Sequence, residues 1–198
     1  MPNWCSTQIT IHHDDVNKLK LLDALIDDWT SKNYKANGFG LTWLGNIVGN
    51  SGVATIDEDY KTDVRCRGSM TYKDLNLDGN ELIIDTETAW APMLQMWIRI
   101  LNKYLPDAEL TYRAEEPGCE IYYTNDPCLI NKYVVDSWDD NIESDWEVEV
   151  DRLRKILQGL LNTSVVEIKK LINMFDKSEY SENVSIHRWK YVNENELD

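Results

Sequence analysis

Three histidines, four cysteines and one dense run of carboxylates are the side chains of this chain with chemical potential. His12 and His13 are adjacent at the end of an alternating run. Consecutive strand residues face opposite sides, so the two rings cannot share one ion. A histidine acid–base pair needs two rings within reach of the same substrate, and His187 is far away in sequence. An RNA-cleaving enzyme built on His12 or His13, or a metal-dependent one built on the acids, is therefore the alternative reading. Cys119 and Cys128 lack the CxxC knuckles of a zinc site and are expected as buried free thiols. No GxSxG, HExxH or EF-hand pattern occurs, and "DSWDDN" lacks the glycine and distal glutamate of a calcium loop. The glycine-rich "GFGLTWLGNIVGNSG" matches neither GxxxxGK[ST] nor GxGxxG, so no phosphate-cradling loop is expected there. No catalytic residue, metal ligand or cofactor is assigned.

The carboxylates are another matter. "DSWDDNIESDWEVEVD" holds eight acids and two tryptophans, with no lysine or arginine. Asp136, Trp138, Asp139, Asp140, Glu143, Asp145, Trp146, Glu147, Glu149 and Asp151 are the candidate partner-binding residues. An extended "WEVEVD" places Glu147, Glu149 and Asp151 on one face, about 6–7 Å apart. That is of the same order as the phosphate spacing of nucleic acid, roughly 3.4 Å along each strand. Further acids stand at Asp57, Glu58 and Asp59 and at Glu115, Glu116 and Glu120. Two readings remain open: a solvated face that keeps the protein dispersed, and bait for a basic groove, with tryptophans as anchors.

Net charge narrows the partner. The chain has 198 residues, a formal charge of −15 and a pI near 4.5. Polynucleotide binding depends on cations displacing counterions from phosphates, so direct nucleic acid is disfavoured, as are anionic membranes. Cationic proteins and metal ions are favoured. No run of about 18 apolar residues could span a membrane. The start has no basic n-region or long apolar stretch, so a cytoplasmic protein with reduced cysteines is expected.

These residues need a scaffold. Cys5, Thr7, Ile9 and Ile11 alternate as a strand. A helix follows, capped by Asp14 or Asp15 and ending near Asn33, with Leu19, Leu22, Ile26 and Trp29 on its stripe. Residues 38–60 are expected as a core-packed loop with one short helical turn. Strands at 64–72 and 80–90 meet at an Asp-Gly turn. Pro92 is placed in the first turn of the next helix. Strands follow at 107–116, after Pro117-Gly118, and at 128–138. Two amphipathic helices close the pattern, the second begun by a Ser164/Glu167 capping box, and the tail supplies an edge strand. The expected fold is α+β: a ferredoxin-like antiparallel sheet with helices on one face over residues 1–125, then an acidic β and helical-hairpin extension over 126–198. Trp4 and Trp90 are expected to pack at or near the core.

"MPNWC" opening into a strand, "TETAWAPMLQMW" and "YRAEEPGCEIYY" resemble the YubB-type, Api-like ferredoxin-like family of bacteriophages, plasmids and integrated islands. The resemblance covers roughly residues 1–125. Ala91 stands where the family often has a second proline, and Ile121, Tyr122 and Tyr123 occupy the region of a family glycine. It implies a mobile-element origin and no activity. The expectation is a non-enzymatic interaction protein that binds, and inhibits, a basic host nucleic-acid-binding factor such as a CRISPR-type nuclease or its ribonucleoprotein. A structural role without inhibition is the third alternative.

Overall fold

The first strand, β1 (Trp4–His12), sets the architecture because its side chains alternate between two environments. Cys5, Thr7, Ile9 and Ile11 are buried, whereas Trp4 and Ser6 are exposed. The protein is described by a computed structural model over residues 3–139 and 142–197. The chain divides into two units, Met1–Asn125 with Val192–Asp198, and Asp126–Tyr191.

In the first unit, α1 (Val16–Thr30) begins where Asp15 accepts a hydrogen bond from the Asn17 N–H, satisfying a free amide of the first turn. It stops three residues before Asn33. A second helix, α2 (Leu44–Ser51), replaces the single turn expected in the glycine-rich segment. The hairpin β2 (Gly68–Asn76) and β3 (Glu81–Ala89) follows, then α3 (Gln95–Tyr104), β4 (Glu109–Glu116) and β5 (Ile121–Thr124). Pro92 lies outside α3, three residues before its start, so the helix-start expectation was displaced. The strands run β2-β3-β1-β4-β5, and each neighbouring pair is antiparallel. β1 meets β3 from Trp4 opposite Ala89 to His12 opposite Glu81. The buried side of this sheet joins Leu19, Leu22, Ile26 and Trp29 of α1 and Met96, Trp97, Ile100 and Leu101 of α3 in one core. The opposite side stays partly wet, and there Gln8 donates to Asp85 at 3.0 Å across β1 and β3.

The second unit contains β6 (Tyr133–Ser137), β7 (Asp145–Val148), α4 (Val150–Leu160), α5 (Ile168–Phe175) and β8 (Val184–Arg188). Its antiparallel sheet runs β7-β6-β8. Leu153 and Leu157 of α4 and Leu171 and Phe175 of α5 are one turn apart within each helix. They pack with Tyr133, Val135, Val148 and Val184 in a separate core. α5 begins at Ile168, so Ser164 and Glu167 do not form the expected capping box; Glu167 stands at the cap, where its carboxylate pairs with Lys170 at 2.8 Å instead of bonding a first-turn amide. The strand expected at 128–138 is shortened to β6, because residues 127–131 turn instead. Among the described residues, no helix is long and apolar enough to cross a membrane.

Candidate functional site

The acidic run does not form one extended face. β7 ends at Val148 and α4 starts at Val150, so Glu149 becomes the helix cap and Asp151 enters the first turn. The expected row of Glu147, Glu149 and Asp151 is thereby broken. Val150 explains the change: it continues the alternation of β7, but it also begins the helical stripe that reaches Leu153 and Leu157. Burial of that stripe outweighs one more strand residue.

Cations meet part of the run. Asp145 pairs with Arg152, Glu147 with Lys132 at 3.0 Å, and Asp151 with Arg154 at 2.6 Å. The Glu147 carboxylate, hydrogen-bonded to Lys132, holds that ammonium above its ordinary range. Glu143 and Glu149 are exposed, and neither is held in an ion pair among the described residues. Asp136 is half-buried on β6 and accepts from the Ser144 hydroxyl at 3.2 Å. Asp140 lies outside the described residues.

Between β6 and β7 the chain is braced by serines. Ser137 N–H donates to Ser144 Oγ at 2.9 Å, and Asp139 N–H donates to Ser137 Oγ at 3.0 Å. Trp138 N–H is anchored on the Asn183 carbonyl at 2.8 Å, yet its side chain is 73% exposed, the highest value among the large apolar side chains described. Trp146, at 38% exposure, uses its carbonyl to accept the Trp189 indole N–H at 2.8 Å. The structure therefore places Trp138, Asp139, Glu143, Trp146, Glu147 and Glu149 on or near one hairpin.

The other acidic groups have local duties. Asp57 accepts from the N–H groups of Asp59 and Lys61, at 2.9 and 2.8 Å. Glu116 is buried, and its Oε2 is the one buried side-chain oxygen without a hydrogen-bond partner among the described residues. Asp57, Glu58 and Asp59 remain exposed, whereas Glu116 is withdrawn from solvent.

His12 and His13 do not form a catalytic pair with each other. His13 is buried, with Nδ1 accepting the Asp15 N–H at 2.8 Å and Lys18 Nζ 3.3 Å from Nε2. His12 faces Asp14 at 3.8 Å on the surface. Cys119 and Cys128 are exposed, not buried as expected, because both fall in turns beside short elements. Among the described residues no cluster of three metal-ligating side chains occurs.

The first unit holds a groove that no motif announces. Its volume is about 770 Å³, and Trp4, Phe39, Trp43, Tyr60, Arg65 and Arg67 are among the residues that line it. Trp4 and Trp90 are exposed, at 51% and 45%, so the near-core expectation is corrected for both. Arg67 lies over the Trp90 ring, 4.8 Å from its centroid. The signal was dispersed over three separate stretches of sequence. Compared with protein-family models, curated proteins and solved structures, the chain matches none.

Proposed function

We propose that the chain is a non-enzymatic acidic binding protein of a phage or other mobile element. It acts in the cytoplasm of a bacterial host, docking on a cationic nucleic-acid-binding protein and blocking its groove. The observation that carries this reading is Trp138, 73% exposed on a serine-braced hairpin rich in carboxylates. A large ring facing water is an anchor without a pocket, and tryptophans in such positions are frequent binding hot spots. The nearby acids supply attraction and orientation, while the ion-paired ones contribute less because their charge is already matched.

A ferredoxin-like scaffold is the finer reading of the first unit. Its β-α-β-β-α-β succession, with α2 inserted after α1, and the strand order β2-β3-β1-β4 support it. Such a scaffold fixes no activity.

A purified CRISPR-type nuclease loaded with guide RNA is the direct test. The protein is expected to bind it and to slow target cleavage. Affinity is expected to fall at least about tenfold between roughly 50 and 200 mM salt. Trp138→Ala should weaken binding about tenfold or more, as loss of an interface anchor does. Absence of binding, or binding indifferent to salt and to Trp138, would remove this reading.

A further inference from the structure

We infer that the groove beside β2 binds a small planar anion of the nucleoside phosphate class. Charge is the first reason. The chain carries 35 Asp and Glu against 20 Lys and Arg. Yet Lys61, Arg65 and Arg67 line this groove, and among the described residues no carboxylate does. Lys61 shares its charge with Asp59 at 3.2 Å. Arg65 and Arg67 are not held in ion pairs among the described residues. Arg67 carries its guanidinium 4.8 Å from the Trp90 ring centroid, and a guanidinium fork suits two phosphate oxygens at once.

The rings are the second reason. Phe39 lies 4.8 Å from Trp43 and 5.5 Å from Tyr60, centroid to centroid, with interplanar angles of 45° and 84°. Phe39 is 56% exposed and Trp4 is 51% exposed. These are apolar faces at the rim of a concavity, where a flat heterocycle can stack. The volume of about 770 Å³ falls in the range of small-molecule sites, about 300–1,000 Å³.

Rigidity is the third. Asn46 is fully buried and holds the segment that carries Phe39 and Trp43. Its amide donates to the Gly40 and Leu41 carbonyls at 2.9 and 3.1 Å, and its Oδ1 accepts the Tyr34 N–H at 3.0 Å. Tyr60 has a left-handed φ of 62° and donates its hydroxyl to the Ala36 carbonyl at 2.8 Å. A bulky residue in that backbone region is strained, and strain held by surrounding bonds recurs at ligand sites. The site is thus formed before any ligand arrives. A polymer is disfavoured by the same charge that excludes it elsewhere: one phosphate meets Arg65 and Arg67, whereas a strand would run onto a surface of net charge −15.

Calorimetric titration of the intact chain with the four ribonucleoside 5′-monophosphates tests this, with adenosine, inorganic phosphate and a short single-stranded RNA as comparisons. At least one monophosphate should bind with Kd below about 1 mM, a weak but measurable affinity. Adenosine and inorganic phosphate should each bind at least tenfold more weakly. The double variant Arg65→Ala/Arg67→Ala should lose at least tenfold, and Phe39→Ala at least threefold; all three side chains are exposed, so unchanged melting curves report intact folding. The inference is overturned if no monophosphate binds in that range. It is equally overturned if the arginine variant binds as tightly as the parent, or if the RNA binds more tightly than its own monophosphates.

Discussion

The indole of Trp43 lies over Gly45, where an added Cβ would sit 2.2 Å from the ring. Trp43 is the cap of α2 and lines the groove, so this contact helps fix one of its walls. Helix propensity alone favours alanine over glycine by about 1 kcal/mol. Here the clash is larger, because a buried ring has no space to retreat and overpacking costs about 1–3 kcal/mol. Gly45→Ala is expected to lower stability by about 1–2 kcal/mol in urea unfolding. Gly159, near the end of α4, provides the contrast: nothing lies within 4 Å of its added Cβ. Gly159→Ala should stabilise by about 0.5 kcal/mol, through the unfolded chain's lost freedom. Equal signs for the two variants would discard the steric account.

Asn46 is the hub of the same segment. Its side chain is fully buried, and its amide and carbonyl together bond to Asn33, Tyr34, Gly40 and Leu41. Removing it deletes these four hydrogen bonds in a part-buried setting, each contributing about 1 kcal/mol net. Asn46→Ala should therefore cost about 3 kcal/mol or more and increase hydrogen exchange at the Tyr34 amide. A loss below about 1 kcal/mol would mean that the segment is held by its rings, not by this amide.

The parts of the fold legible in the sequence are those with one dominant period. Cys5, Thr7, Ile9 and Ile11 announce β1, and Asp15 announces α1. α2 was illegible as a helix because Leu44, Ile47 and Val48 are buried together with Gly45, Asn46, Gly49 and Ser51, leaving no polar stripe. The end of β7 was hidden because Val150 satisfies both a strand and a helix pattern. The acidic hairpin was visible in composition, but its pairing with Lys132, Arg152 and Arg154 was not, since each cation sits outside the acidic run. The groove was invisible because Trp4, Phe39, Trp43, Tyr60 and Arg65 converge only after folding.

Burial pushes the thiols of Cys5 and Cys66 from 9.0 up to about 11. For Cys5 the nearby negative charges of Glu116 and Glu115 act in the same direction. A folded-state value above the unfolded one means that the native state keeps its proton while the unfolded chain loses it. The favourable contribution is intact below about pH 9 and disappears as pH rises toward about 11. Stability should therefore fall across that window by up to about 2–3 kcal/mol per thiol. Tyrosines and lysines titrate there too, so the comparison is with Cys66→Ala. Its stability curve should fall less steeply between those pH values by that thiol's share. Parallel curves would show that the Cys66 thiol does not contribute.

Cys119 presents the same chemistry at the surface. Its thiol is raised above 9.0, first by its hydrogen bond to the Glu116 carboxylate, which favours the protonated form. Glu116 is only 4% exposed; its Oε1 accepts the Gly118 N–H at 3.0 Å, and its Oε2 is a buried oxygen without a geometric hydrogen bond among the described residues. A thiolate beside a buried carboxylate is repelled, and alkylation proceeds through the thiolate. In the folded protein at pH 8, iodoacetamide should modify Cys119 and Cys128 while leaving Cys5 and Cys66 untouched until denaturant is added. Replacing Glu116 by glutamine removes the charge and keeps the shape. Glu116→Gln should lower the Cys119 pKa and raise its alkylation rate severalfold relative to Cys128, the exposed internal reference. Mass mapping of the modified peptides over time reads both rates in one sample. If the ratio of the two rates does not change, the carboxylate is not what restrains this thiol.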